Sequence, residues 1–220
     1  MLFKICPRIN INFDSAEFIA AFKSVFQKQL RSIFETKFSQ KFNCGKAFAV
    51  NSARSALALI LQTLNLPKNS EILIPNYTFF AVAKTIKECG FSPIAIDCDK
   101  NTFMFKPETI EKNITANTRV LIVEHIFGQT AEIEEITKIC KKNNLILIED
   151  CAQSIGAKHN NKFAGSFGDF AYFSFAFGKN LTTFNGGLIV VNNPNHIESL
   201  NRAYSNLRNQ PLTLTLKNLC

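Results

Sequence analysis

Tryptophan is absent from these 220 residues, and the seven cysteines show no spacing that builds a metal or disulfide site. There is no CxxC and no Cys/His pair at ligand spacing, which excludes a zinc motif and a disulfide framework. Cys89, Cys140 and Cys151 sit in apolar or strand-like stretches, as reduced, buried thiols of a cytosolic protein do. No apolar run approaches the ~18 residues a membrane helix needs. The N-terminus, MLFKICPRIN, is too short and too polar for a signal peptide. Internal repeats, low-complexity stretches and linkers are also lacking. The formal charge is +8, but Lys and Arg are scattered and pair only briefly, as at Lys141-Lys142. A nucleic-acid binder concentrates them on one face or tail, so the charge fits a basic protein that at most attracts small anions.

Hydrophobic residues make up 46% and charged residues 19%, with 22 phenylalanines. That composition is globular and enough for one well-packed domain, or two small ones. The phenylalanine excess, with frequent Lys, Asn and Ile, reads as compositional habit. Residues 14–38 carry Phe18, Phe22, Phe26, Ile33 and Phe34 near a 3.6 period, which predicts a long amphipathic helix, capped by Asp14 or Ser15. It could lie on this domain or on a partner subunit.

From residue 46 short apolar strands alternate with helices. Strands are expected at 47–50, 72–74, 93–96, 120–123, 145–148, 171–175 and 187–191. Helices are expected at 52–66, 78–89, 107–112, 131–143 and 197–207, with a turn at 67–70 and Gly90 closing the second. Continuous apolar strands separated by helices mean a parallel sheet covered on both faces. The expected fold is α/β, with a mostly parallel central sheet. Its parts are an N-terminal helical segment (1–45), a large domain (46–210) and a tail (211–220).

Ligands of such sheets sit at the carboxyl ends of the strands, and several ends here carry polar residues. Ser52-Ala53-Arg54 opens a helix, where free N–H groups form an anion site, or Ser52 is only an N-cap. His125 follows one strand. Glu149-Asp150 and Gln153 follow another, where an acid could bind metal, act as a base, pair with a cationic ring nitrogen or simply face solvent. Ser174 lies late in its strand. Lys179, among Phe175, Phe177 and Gly178, is either a desolvated, nucleophilic amine or a snorkelling surface lysine. Gly186-Gly187 allows close packing or positive φ.

Taken in order, NSARSALALIL, EILIPNYTFFAVAKTIKECGFSPIAIDCD, VLIVEHIFGQTAEIEEI, LILIEDCAQSIGA and GSFGDFAYFSFAFGKNLTTFNGGLIVV resemble the DegT/DnrJ/StrS sugar aminotransferases. That family's counterparts are SSGTAALHLAL, DEVI.PSFTFVATANAI...GA.PVFVDID, VHLYGQ, VIEDAAQA.GA and GSLGD..CFSFYPTKNLTTGEGGAVV. The resemblance covers about residues 48 to 200 and implies the large domain of a fold-type I enzyme that uses pyridoxal 5'-phosphate (PLP). Lys179 would hold the cofactor covalently and shuttle the substrate proton. Asp150 would pair with the pyridinium nitrogen, Gln153 would contact the phenolic oxygen, and Phe79 would stack on the ring. Ser174 and the Ser52–Arg54 turn would bind the phosphate, and His125 matches a histidine near the cofactor. The implied reaction is ping-pong transfer of an amine, from a donor such as glutamate, to a nucleotide-linked keto sugar in polysaccharide or related biosynthesis. Lys179 argues against the dehydratase branch, which has histidine there. A cytoplasmic homodimer, or a separate C-terminal partner, is expected.

Three departures qualify this. Ala53-Arg54 stands for Gly-Thr, and Phe184-Asn185 for Gly-Glu. The chain also stops at Cys220, so the family's small C-terminal domain, and the loop that reaches across its dimer, are expected to be absent. The ending LTLTLKNLC reads as an unfinished strand. A non-catalytic remnant that folds, dimerises or binds PLP without turnover is the competing reading. A PLP enzyme acting on amino acids is a third, disfavoured by GKNLTT.

Overall fold

The computed structural model describes residue 19 and residues 29–207. Most of the expected N-terminal helix, 14–28 apart from Ile19, and the tail strand lie outside the described residues. The part within them, α1 (Leu30–Phe42), runs four residues beyond the expected end. It extends because Phe42 continues an i, i+4 stripe with Phe34 and Phe38. Phe38 and Phe42 meet ring to ring at 4.3 Å, and Phe38 packs on Phe173 at 5.0 Å. This segment therefore lies on the domain itself. Ile33, expected on the apolar stripe, is exposed.

The remaining elements follow in alternation: β1 (Lys46–Val50), α2 (Ala53–Thr63), β2 (Glu71–Pro75), α3 (Phe80–Glu88), β3 (Ser92–Ile96), α4 (Pro107–Asn113), β4 (Thr118–Glu124), α5 (Ile133–Lys142) and β5 (Ile146–Asp150). A hairpin, β6 (Lys158–His159) and β7 (Lys162–Phe163), precedes β8 (Phe170–Ser174), β9 (Gly187–Val191) and α6 (Ile197–Ser205). Seven strands form one sheet in the order β1-β9-β8-β5-β4-β2-β3. β8, β5, β4, β2 and β3 are mutually parallel, while β9 runs antiparallel to both β8 and β1. The sheet is thus mostly parallel, and its one reversed strand starts where the others end.

Side chains alternate between the two sheet faces. Ile72, Val120, Ile122, Ile148, Phe170 and Ile189 pack under α2, α3 and α6. Leu73, Leu121, Val123 and Leu147 pack against α4 and α5. On that second side Phe173, Leu188 and Val190 meet α1. Fully burying a side chain of this size contributes about 1.5–3 kcal/mol, so both covered faces are needed to hold the sheet. The alternation also decides which strand-end residues reach the ligand edge and which do not. No helix among the described residues is long and apolar enough to cross a membrane.

Candidate functional site

A cavity of about 330 Å³ opens at the carboxyl edge of the sheet. Ser52, Ala53 and Arg54 line it from the start of α2, Phe79 from the start of α3, and His125, Asp150 and Gln153 from the ends of β4 and β5. Ser174 and Lys179 line it from the end of β8 and the loop beyond. All nine candidate residues therefore meet in one place, although they are spread over 128 positions of sequence.

Parity explains Asp150 and Glu149. In β5, Ile148 faces the α2 layer, so Asp150 does too and reaches the cavity. Glu149 points to the opposite face and is fully buried. Its Oε1 accepts the N–H groups of Phe167 and Gly168, both at 2.7 Å. Its Oε2 accepts that of Gly165 at 2.8 Å and lies 2.9 Å from His125 Nε2. His125 Nδ1 accepts the Ala131 N–H at 3.1 Å, so the ring's proton sits on Nε2 and is donated to Glu149. Both ring nitrogens are occupied, which leaves His125 no free nitrogen to offer the cavity. Cys151 lies beside this pair, but the histidine and carboxylate lone pairs are already committed to hydrogen bonds. His125 and Glu149 form a structural network that locks the 165–168 turn.

Asp150 accepts the Ala152 N–H on Oδ1 at 2.8 Å and the Tyr172 hydroxyl on Oδ2 at 2.5 Å. Burial raises its pKa from the ordinary value, while those two donors and the Lys179 charge pull it down. Lys179, half-buried, faces it from the loop. Phe79 stands at the mouth, 61% exposed. Ser52 caps α2, its Oγ accepting the Ser55 N–H at 3.1 Å. The first N–H groups of α2 have no intrahelical acceptor and carry the helix's positive end to the cavity wall. The double glycine serves both purposes anticipated for it. Gly186 has φ +144°, and a Cβ on Gly187 would lie 2.4 Å from the Ser52 carbonyl carbon. Only glycine lets β9 pass so close under the start of α2.

A profile of the DegT/DnrJ/EryC1/StrS aminotransferase family matches residues 15–212. The chain belongs to that family. GDP-perosamine synthase from Escherichia coli O157:H7 is 36% identical over 159 residues, which is 72% of this chain and 44% of that protein. PseC of Helicobacter pylori, an aminotransferase involved in pseudoaminic acid biosynthesis, superposes with a TM-score of 0.85 at 25% identity. The match covers 93% of this chain and 57% of PseC. The E. coli GDP-4-keto-6-deoxy-D-mannose-3-dehydratase with bound hydrated PLP gives 0.77 at 28% identity, over 84% of this chain and 51% of that one. The chain thus spans about half the length of the relatives it matches.

Within this cavity, sequence reasoning missed two residues. Glu124 ends β4 on the cavity side, 7% exposed, and accepts a hydrogen bond from the Thr78 hydroxyl. Burial, with the Asp150 charge beside it, pushes Glu124 up to about 8, while Thr78 and Lys179 pull it down. Tyr172 is the second. The signal was present in the motifs: aligning HIFGQ on HLYGQ puts valine opposite Glu124, and aligning FSF puts cysteine opposite Tyr172. The Phe184 that replaces a glycine adopts φ +64°, a left-handed conformation bulky side chains rarely take.

Proposed function

We propose that this chain is the cofactor-holding part of a PLP-dependent sugar aminotransferase. Its amino acceptor would be a keto sugar carried on a nucleotide, and its donor an amino acid such as glutamate. The observation that carries the reading is that Lys179, Asp150 and the N-terminus of α2 face one cavity from three directions. An amine, an anion and an anion-binding helix end are what an aldehyde, a cationic ring nitrogen and a phosphate require. The family membership and the nucleotide-sugar names of the relatives support the substrate class.

Bound there, PLP supplies an electron sink for negative charge developing at the substrate carbon. This chain's residues do the rest. Lys179 Nζ would hold the group covalently and, once displaced by substrate, move the proton at the reacting carbon. Asp150, whose anionic form the Tyr172 and Ala152 donors favour, would hold the proton on the ring nitrogen. The α2 N–H groups and Ser174 would bind the phosphate. Arg54, which lines the same wall, adds a positive charge where the family has a threonine. Phe79 would cover the ring and exclude water. Gln153 would contact the phenolic oxygen. His125 contributes shape, since its nitrogens are engaged elsewhere. Tyr77, Phe79, Phe80, Phe103 and Phe127, in the segments that follow β2, β3 and β4, are all exposed, which supports a second polypeptide, another copy or a separate chain, covering this edge.

The test is the absorbance spectrum of the protein with PLP, before and after borohydride reduction. A visible band that reduction traps on Lys179 is expected, and Lys179→Ala should lose it. A trapped adduct that persists in K179A overturns the assignment. Amine transfer to a nucleotide-linked keto sugar then separates turnover from binding alone.

A further inference from the structure

The floor of the cavity is a row of three polar side chains. Glu124 of β4 is the register partner of Asp150 of β5, which is the partner of Tyr172 of β8. Register partners in parallel strands point to the same face, so two carboxyls stand side by side under little solvent. Two adjacent buried carboxyls do not both ionise readily, because like charges disfavour each other's charged form. Their hydrogen bonds rank them. Asp150 accepts two donors, Tyr172 Oη and the Ala152 N–H. Glu124 accepts one, from Thr78.

We propose that Glu124 is a positioning residue of this site: it and Asp150 act as one carboxyl pair sharing a single proton, which resides on Glu124 and leaves Asp150 the anion. This rests on the reading above only in assigning a cationic ring nitrogen to Asp150. The arrangement adds to the motif, where a valine stands opposite Glu124. A cation brought against Asp150 also lies near Glu124 and favours its ionised form. Binding the ring therefore lowers the pH at which Glu124 gives up its proton, and above that pH a second negative charge stands behind the ring. The charged and titratable groups facing Glu124 are Asp150 on β5, Tyr172 on β8, Lys179 in the loop after β8 and Cys98 after β3. Of these only Lys179 is a cation. Its charge lowers the pKa of both carboxyls, so its loss on bonding a cofactor would act against the ring's effect, and the pH dependence of affinity reads the excess of the ring's charge over the one lost.

Infrared titration of the protein without cofactor tests the pair directly. The wild type should show a protonated-carboxyl band at pH 7 that disappears with a midpoint near 8. Glu124→Gln, which keeps the side-chain shape, should remove it. Asp150→Asn should move the midpoint down by a unit or more, because the neighbouring charge is gone. A band untouched by E124Q, or a midpoint unmoved by D150N, overturns the proposal. The second arm is PLP affinity from pH 6 to 9. Wild type and E124Q should bind alike at pH 6 and diverge by on the order of tenfold by pH 9, the wild type binding more tightly, as a one-unit linkage gives. A constant ratio across that range overturns the coupling to the ring. No PLP binding by the wild type at any pH would instead overturn the functional reading, and the infrared arm would still decide the carboxyl pair.

Discussion

The Tyr172 hydroxyl donates to Asp150 Oδ2 across 2.5 Å, in the middle of the sheet edge where a ligand's cation would be met. Hydrogen bonding to the charged form of an acid lowers its pKa, so this contact opposes the upward push of burial on Asp150. Tyr172→Phe keeps the ring and deletes the donor. The expected results are a loss of about 1.5–3 kcal/mol of stability near neutral pH, the usual worth of a hydrogen bond to a charged group, and roughly tenfold weaker PLP binding at pH 7. Urea unfolding and an absorbance titration measure the two. Unchanged PLP affinity would show that Tyr172 only fills space.

Glu124 makes stability depend on pH in a definite direction. Its folded-state pKa, about 8, exceeds the ordinary 4.5. Between those values the folded chain holds a proton that the unfolded chain releases, so stability falls as pH rises through that window. Below it both states are protonated, and above it both are ionised. Glu124→Gln removes this dependence. Relative to the wild type, the variant should gain little at pH 4.5 and on the order of a few kcal/mol at pH 9. Urea midpoints at the two values decide, and parallel pH profiles would count against a buried, raised Glu124.

How far the sequence foretold this site follows from what each residue's neighbours are. The apolar runs 72–74, 120–123 and 145–148 could only be buried strands, and the helices between them made the pairing parallel. Gly187–Val191 is equally apolar read in either direction, so its reversal was not visible. The β6–β7 hairpin was overlooked although its turn, Asn160-Asn161, has φ of +47° and +65°. Asparagines tolerate that region, and a primed hairpin turn demands it. Lys179, Asp150 and Gln153 were singled out by motif, not by physics: a strand-end acid or a lysine among phenylalanines has no unique meaning alone. Glu124 was absorbed into a strand because its apolar neighbours set the pattern. Its partnership with Asp150 depends on register between strands 26 residues apart, which local sequence does not encode.

Glu149 looks like a spare acid beside Asp150, yet it holds more of the structure. Its buried carboxylate receives three backbone N–H groups and the His125 ring. Glu149→Gln turns one oxygen into an NH₂ that faces donors it cannot bond. Leaving a buried donor unsatisfied costs about 1–3 kcal/mol, more where a charge was involved. A loss of about 3 kcal/mol or more is expected by urea unfolding, with the 165–168 amides exchanging faster with deuterium. A milder loss confined to His125 would mean that the turn does not rely on this carboxylate.

Gly187 separates binding from folding. A Cβ there would meet the backbone of Ser52 and Ala53 at 2.4–2.7 Å, and backbone cannot rotate away as a side-chain tip can. The start of α2 must shift, taking with it the N–H groups assigned to the phosphate. Overpacking of this kind costs about 1–3 kcal/mol, which a sheet with both faces covered can absorb. Gly187→Ala should therefore remain folded by circular dichroism while losing PLP affinity by tenfold or more. The loss should be smaller for pyridoxal, which has no phosphate to misplace. Equal losses for both ligands would place the damage at Lys179 or Asp150 and argue against a phosphate site at the head of α2.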